Sequence, residues 1–347
     1  LKQRLLEILV CPFCHRTFNL SQEIVRGEEI EEGTLLSDCG RSYPIVNGIP
    51  RILPSASSSA SVSKELGTVT SKLEKTRRSF GFQWTKFKRI DEGDKTEFLA
   101  KTLWTENFFK GKLVLDAGCG FGRYAYFAAK FGAEVVGIDL SDAIESASLN
   151  TAHLPNVHLV QGDLYNLPFA TNTFDAIYSI GVLHHTPDPS AAFSSVSATL
   201  RQKGEFSIWV YDRADVGREA INSALRSITT RLPHSLLWKI SEVAAEHSSD
   251  PPLQKLRNYM IIGNSRVGNF DWYSPQYQHH PTEKEVLSWF QTSGFEQLLI
   301  LTPPARGFGS SFGAKGIKGT LSDARQRIVV RTVSTSFDKL VDSDLEA

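Results

Sequence analysis

"VLDAGCGFGR", residues 114 to 123, sets Gly118, Gly120 and Gly122 at alternate positions directly behind an apolar run. Alternating glycines let a backbone pass close to a ligand. A dinucleotide fingerprint needs G-x-G-x-x-G, and its third glycine falls where this chain has Arg123. The G-x-x-x-x-G-K-S/T of a phosphate loop does not occur here either. Asp116 stands just before the glycines. A carboxylate there is awkward beside a pyrophosphate and suits a ligand carrying an amino group and a sulfonium charge. Asp139 ends the candidate strand "VVGIDLS", where it can accept from both ribose hydroxyls. Asp163, in "VQGDLYNLPF", can accept from an exocyclic adenine amine. Three acidic strand ends fit a nucleoside cofactor without phosphates.

Candidate bases lie further on. "GVLHHTPDP" places His184 and His185 past a fourth strand, and histidine titrates near neutrality. "NFDWYSPQYQHHPT" gathers Asp271, Trp272, Tyr273, Tyr277, His279 and His280 into a stretch that reads as irregular. Aromatic rings with polar tips suit the wall of a small polar substrate. If the acceptor is a hydroxyl, His184 is expected to lead Tyr273 and His280 as base, with His185 the other candidate. "RRSFGFQW" is expected to form a facing wall, with Trp84 and with Arg77 or Arg78 meeting an acidic group. Arg123 and Tyr124, at the start of the first sheet helix, are further substrate candidates. Packing is the plain alternative for each: a capping role for the histidines, an ordinary loop for 269–282, helix contacts for Phe80 and Trp84. Cys119 reads as a small buried contact, with no base near it in sequence.

The elements that must position these residues follow from the apolar pattern. From Lys112, strand-like and helix-like segments alternate: "KLVLDAG", "RYAYFAAKFGA", "EVVGIDLS", "DAIESASLNTAHL", "VHLVQGD", "FDAIYSIGVLHH", "PSAAFSSVSATLRQKG", "EFSIWVY". Such alternation predicts a parallel-dominated sheet with helices on both faces and ligands beyond the strand C-termini. Residues 212–280 lose the alternation and read as a helical cap. Thr282 and Glu285 form a capping-box pattern, and "FEQLLIL" and "QRIVVRTV" are late strand candidates. The expected division is 1–54, a small N-terminal domain; 55–109, a linker and helical segment; 110–211, the cofactor core; 212–280, the cap; 281–333, the rest of the fold; and 334–347, a tail. In the first unit, Cys11-x-x-Cys14 and Cys39 offer three thiolates to a metal that ordinarily takes four ligands. The matching fourth position holds Leu36, with Asp38 and His15 the nearest substitutes.

The motifs between residues 110 and 211 resemble, in order and spacing, those of class I S-adenosylmethionine-dependent methyltransferases, which have an α/β Rossmann-like core. The resemblance implies S-adenosylmethionine as cofactor. Gly118, Gly120 and Gly122 would line its methionine portion, with Asp116 near the amino group. Asp139, with Leu140 beside it, would hold the ribose, and Asp163 with Leu164 would border the adenine. "CPFC" followed by "CGRSYPIVNGIP" resembles the zinc-ribbon-like Trm112 domain found fused ahead of bacterial methyltransferases. It implies a site for zinc, which Leu36 puts in question.

Totals narrow the partners. Lys plus Arg and Asp plus Glu number 38 each, so the net charge is zero, which disfavours a polyanionic partner such as nucleic acid. Four cysteines make no secreted disulfide framework, and no apolar run is long enough to span a bilayer. The expectation is a cytoplasmic enzyme methylating a small molecule, such as a sugar or secondary-metabolite hydroxyl; the composition leaves oligomeric state open. An RNA base methyltransferase and a non-catalytic, partner-binding scaffold are the alternatives.

Overall fold

The strand-forming runs are buried on both faces, as a parallel sheet covered by helices requires. The computed structural model describes residues 1–53, 64–86, 90–212, 216–256, 263–302, 311–320 and 331–334. The first domain holds α1 (Gln3–Ile8), β1 (Asn19–Arg26), β2 (Glu29–Leu36), β3 (Ser42–Val46) and β4 (Ile49–Ile52). Two helices follow, α2 (Lys64–Lys86) and α3 (Glu92–Thr102). The core is β5 (Leu113–Ala117), α4 (Arg123–Lys130), β6 (Glu134–Asp139), α5 (Ala143–Thr151), β7 (Val157–Gly162), β8 (Phe174–Ile180), α6 (Pro189–Ala198) and β9 (Leu200–Tyr211). The cap is α7 (Val216–Thr229), α8 (His234–Glu246), α9 (Pro251–Leu256) and α10 (Arg266–Tyr273). Then come α11 (Glu283–Thr292), β10 (Phe295–Thr302), β11 (Ser311–Lys318) and β12 (Arg331–Ser334).

All the strands join one sheet, in the order β1-β2-β3-β4-β7-β6-β5-β8-β9-β11-β10-β12. Neighbours from β4 through β9 are parallel. β11 runs antiparallel between β9 and β10. The first domain is therefore no free-standing bead. β4 pairs with β7, and Leu5, Leu35, Tyr43 and Ile45 share a core with Val160, Phe169 and Phe174.

Two expectations need correction. The helix read through "LRQKG" ends at Ala198, because Leu200 is buried and opens β9 opposite Phe174. The "irregular" stretch begins as α10, so Asp271, Trp272 and Tyr273 project from a helix; Ser265 caps it by accepting from Gly268 N–H at 3.1 Å. β11, "SFGAKGIK", falls on a stretch to which the sequence pattern gave no element. A Cβ at Gly313 would meet the Trp209 ring at 2.6 Å, so these glycines serve strand packing. The Thr282–Glu285 capping box forms at the start of α11. The "SASSSASVS" linker, most of "QRIVVRTV" and residues 335–347 lie outside the described residues. No described helix is long and apolar enough to cross a membrane.

Candidate functional site

Beyond the C-terminal ends of β5, β6, β7 and β8 lies a cavity of about 510 Å³. Its cofactor-like end comes from turns. Gly118 has φ +92, and a Cβ there would lie 2.4 Å from Val182 Cγ2, so only glycine fits between β5 and the turn after β8. The Gly118 and Cys119 amides bond the Ile138 carbonyl at 2.8 and 3.0 Å. Asp139 ties the same loop: Oδ2 accepts from Gly120 N–H at 2.8 Å, and Oδ1 from Ser141 N–H and Oγ–H at 2.8 and 2.6 Å. Asp163 accepts from Tyr165 N–H and Asn166 Nδ2 at 3.1 Å each. Burial raises the pKa of both carboxyls, and these hydrogen bonds oppose it. Gly118, Gly120, Asp139, Leu140, Asp163 and Leu164 all line the cavity.

Two expected cofactor residues do not. Gly122 opens α4 with φ +83, and a Cβ there would press on Ala147 at 3.1 Å, so it serves the α4–α5 contact. Asp116 is 2% exposed and accepts from the Tyr178 hydroxyl at 3.0 Å; burial lifts its pKa to about 8.

The other end is built from side chains of separate helices. α2 lays Thr76, Phe80, Gln83 and Trp84 along the cavity at helical spacing, Trp84 stacking on Phe121 with centroids 4.9 Å apart. α3 adds Asp94, Glu97 and Lys101 from one face. These form a ladder with Arg123, whose Nη1 lies 3.0 Å from Asp94 and 3.5 Å from Glu97; Glu97 also pairs with Lys101. Tyr124 lines the wall beside Arg123. Trp209 and Tyr211 of β9, with Asp271 of α10, complete this end. Asp271 accepts from the Tyr211 hydroxyl and, at 3.4 Å, from Gln83 Nε2. Arg77 lines the cavity, as the facing wall required, while Arg78 does not, and both are engaged in ion pairs. Arg77 bonds Glu74 and Asp142 at 2.8 and 2.9 Å, and Arg78 bonds Glu74 at 2.8 Å.

The histidines separate. His185 lines the cavity, with its Nδ1 3.0 Å from the Tyr277 carbonyl. A carbonyl only accepts, so Nδ1 carries the proton and Nε2 presents a lone pair. Nε2 is buried, has no hydrogen-bond partner among the described residues, and lies 3.9 Å from Asp271 Oδ2. Burial lowers the His185 pKa to about 4, against the opposing charge of Asp271. His184, expected to lead, does not reach the cavity. It is fully buried against the Tyr211 ring, centroids 4.2 Å apart, and burial holds it far below the usual imidazole range. His280 bonds Glu219 at 2.8 Å and stacks on Trp272. Tyr273 packs in the cap core with Leu237 and Phe270. Tyr277 contributes its backbone carbonyl, and its ring lies outside the lining. Cys119 is buried at the cavity wall, its thiol pushed well up by burial.

The Asp94–Glu97–Lys101 face, Tyr211 and Trp209 were missed. The i, i+3, i+7 spacing in "DKTEFLAK" was a usable signal for the first three. Tyr211 and Trp209 end an apolar strand and gave none.

In the first domain, the sulfurs of Cys11, Cys14 and Cys39 lie within 4.8 Å of one another. Neither Asp38 nor His15 joins them; Asp38 pairs with Arg16 at 3.3 Å. Ser37 Oγ stands there instead, 3.1 Å from Cys14 and 3.3 Å from Cys39. Hydrogen bonding from Ser37 takes the Cys39 thiol down to about 6. Three converging sulfurs fit three of the four ligands that a structural zinc site takes.

Residues 115–208 match the family model for a methyltransferase domain, and residues 2–48 the model for Trm112p-like protein. A sterol 24-C-methyltransferase of Gibberella zeae is 31% identical over 122 residues, 32% of each chain. A ubiquinone biosynthesis O-methyltransferase of Coxiella burnetii is 34% identical over 98 residues, 28% of this chain and 42% of the relative. The chain spans between 29% and 51% of the sterol methyltransferases it matches. The structure of magnesium protoporphyrin IX methyltransferase from Synechocystis, with bound S-adenosylhomocysteine, aligns over 72% of this chain and 95% of its own, with 16% identity and a TM-score of 0.41.

Proposed function

We propose that this chain, which joins a Trm112-like domain to a class I S-adenosylmethionine-dependent methyltransferase fold, methylates a hydroxyl of a small polar molecule. The observation that carries this reading is a cavity of about 510 Å³ lined on one side by the glycine loop, Asp139 and Asp163 and on the other by side chains of the helices α2, α3 and α10. In this reading Asp139, with Leu140 beside it, takes the ribose and Asp163 with Leu164 borders the adenine, and all four line the cavity. The residues fit the cofactor: two carboxyls, Asp139 and Asp163, line the cavity beside the backbone of Gly118 and Gly120. S-adenosylmethionine, when bound, supplies an electrophilic methyl group. The protein orients the acceptor and takes its proton.

His185 is the base in this reading. Its ring lines the cavity, its tautomer is fixed by Tyr277, and Asp271 is near enough to favour the imidazolium that forms. Phe80 packs edge-on against its ring, centroids 5.1 Å apart, and limits rotation. Asp94, Glu97, Lys101, Arg123 and Asp271 make the acceptor end too polar for a bare sterol. Enclosure between α2, α3 and α10 favours a metabolite over an RNA base. The Cys11–Cys14–Cys39 cluster would hold one zinc ion, stabilising the first domain.

The test is to incubate the protein with methyl-labelled S-adenosylmethionine and either a metabolite extract or bulk RNA. Label in small molecules supports the reading. Label confined to RNA, or no transfer by protein that binds the cofactor, contradicts it.

A further inference from the structure

Three neighbouring strands bring a row of polar side chains to the cofactor end. Arg51 of β4 lies opposite Gln161 of β7, and Gln161 lies opposite Asp139 of β6. Residues opposite one another in a sheet project from the same face. The row therefore runs from the first domain to the carboxyl that ties the glycine loop. Gln161 is 5% exposed, and a buried amide costs stability unless its hydrogen bonds are matched. Its Oε1 accepts from Arg51 Nη1 at 3.1 Å. Its Nε2 donates toward the Leu140 carbonyl, the Ser141 carbonyl and Asp142 Oδ1, at 3.4, 3.3 and 3.2 Å. Two hydrogens are shared among three oxygens, so each contact is long.

A side-chain amide can face either way, and its neighbours decide which. A guanidinium only donates and the turn presents only acceptors, so both sides select the same orientation. Removing Arg51 leaves Oε1 buried without a donor, and the amide regains one only by moving off the turn. Arg51 is itself held. Its Nη2 donates to the Val46 carbonyl within the first domain at 3.1 Å and to Glu145 of α5 at 2.5 Å. The turn belongs to the cavity wall, since Leu140 and Ser141 line it. Ser141 bonds Asp139, and Asp142 also accepts from Arg77 of α2 at 2.9 Å.

We propose that Arg51 and Gln161 are positioning residues for the cofactor: Arg51 orients the Gln161 amide, and Gln161 holds the 140–142 turn against which the nucleoside lies. The inference rests on the methyltransferase reading above and deepens it. Neither residue lines the cavity, so each acts through the turn. The first domain then takes part in cofactor binding through β4, although none of its residues lines the cavity.

Two contacts across the junction can be separated. Arg4 also crosses from the first domain, pairing with Glu134 at 3.0 Å. Glu134 opens β6, at the far end of that strand from Asp139. Losing Arg4 loosens the junction and leaves the turn alone. Gln161→Glu does the reverse. Its carboxylate still pairs with Arg51, in a charge-assisted bond, but offers no hydrogen to the turn.

The experiment titrates S-adenosylhomocysteine calorimetrically into the full chain, with the melting transition of each protein recorded. The proteins are wild type, Arg51→Met, Arg51→Lys, Gln161→Glu and Arg4→Met. Arg51→Met and Gln161→Glu should each bind about tenfold more weakly than wild type, about 1.4 kcal/mol. Arg51→Lys keeps a donor and should stay within about threefold. Arg4→Met loses an exposed ion pair and should stay within about twofold. Rescue by lysine is what a merely structural role for Arg51 would not give. Wild-type affinity in folded Arg51→Met or Gln161→Glu would overturn the proposal. So would an equal loss in Arg4→Met, or a loss in Arg51→Lys as large as that in Arg51→Met. If Arg51→Met does not fold, Gln161→Glu set against Arg4→Met decides by the same criteria. Failure of the wild-type protein to bind S-adenosylhomocysteine would instead remove the methyltransferase reading beneath it.

Discussion

The two ends of the cavity are made of different material. The cofactor end is mostly backbone and strand-terminal carboxylates, fixed by consecutive turns of one sheet. The acceptor end is side chains from α2, α3, α10 and β9, far apart in sequence. One end is rigid and local; the other is assembled by tertiary packing. A fold can therefore keep its cofactor chemistry while a few helix-face substitutions change the acceptor.

The sharpest way to break this division is at neighbouring histidines. His185→Ala should lower turnover by about 100-fold or more, the range for losing a general base, while cofactor affinity stays near wild type. Stopped or steady-state assays paired with calorimetry read both. Equal losses of turnover and cofactor affinity would mean that the two ends are one structural unit. Because burial lowers the His185 pKa to about 4, the base is neutral above that value and is lost only as pH falls through it. The wild-type rate should accordingly show no histidine-type rise between about pH 6 and 8.

The next effects fall on the cofactor end. Asp139→Ala removes the proposed ribose acceptor and the tie to Gly120 and Ser141, and should weaken cofactor binding by about 2 kcal/mol, roughly 30-fold. Gly118→Ala should cost about 1–3 kcal/mol of stability in urea unfolding, through its positive φ and the Val182 clash. A variant as stable as wild type would show that the turn has slack.

How far the sequence reached follows the same line. That Gly118, Asp139 and Asp163 share one cavity was legible because each belongs to a short motif at a strand end. Asp116 and Gly122 share those motifs but serve the interior, since Tyr178 and Ala147 arrive from elsewhere in the chain. His184 and His185 are indistinguishable as letters; only the turn after β8 decides that His185 faces the cavity. The α3 ladder was hidden because its apolar face, Phe98 and neighbours, dominated the pattern. Ser37 stands by the three sulfurs for a similar reason: its hydroxyl, and not Leu36, faces inward between β2 and Cys39.

Smaller effects sharpen the contrast. Metal analysis should find about one zinc per chain, and chelation should lower the melting temperature of the first domain's unfolding without abolishing cofactor binding. His184→Leu should change stability by less than about 1.5 kcal/mol and leave turnover nearly intact, because it removes a buried ring with no hydrogen-bond partner among the described residues. A large loss of turnover there would return the base to His184.

The most direct measurement of the central claim is calorimetric titration of the folded wild-type chain and of Asp139→Ala with S-adenosylmethionine. The account predicts one site per chain in the wild type and a clearly weaker one in the variant, whose folded state is checked by a cooperative melting transition. No binding by folded wild-type protein, or identical binding by both proteins, would contradict it.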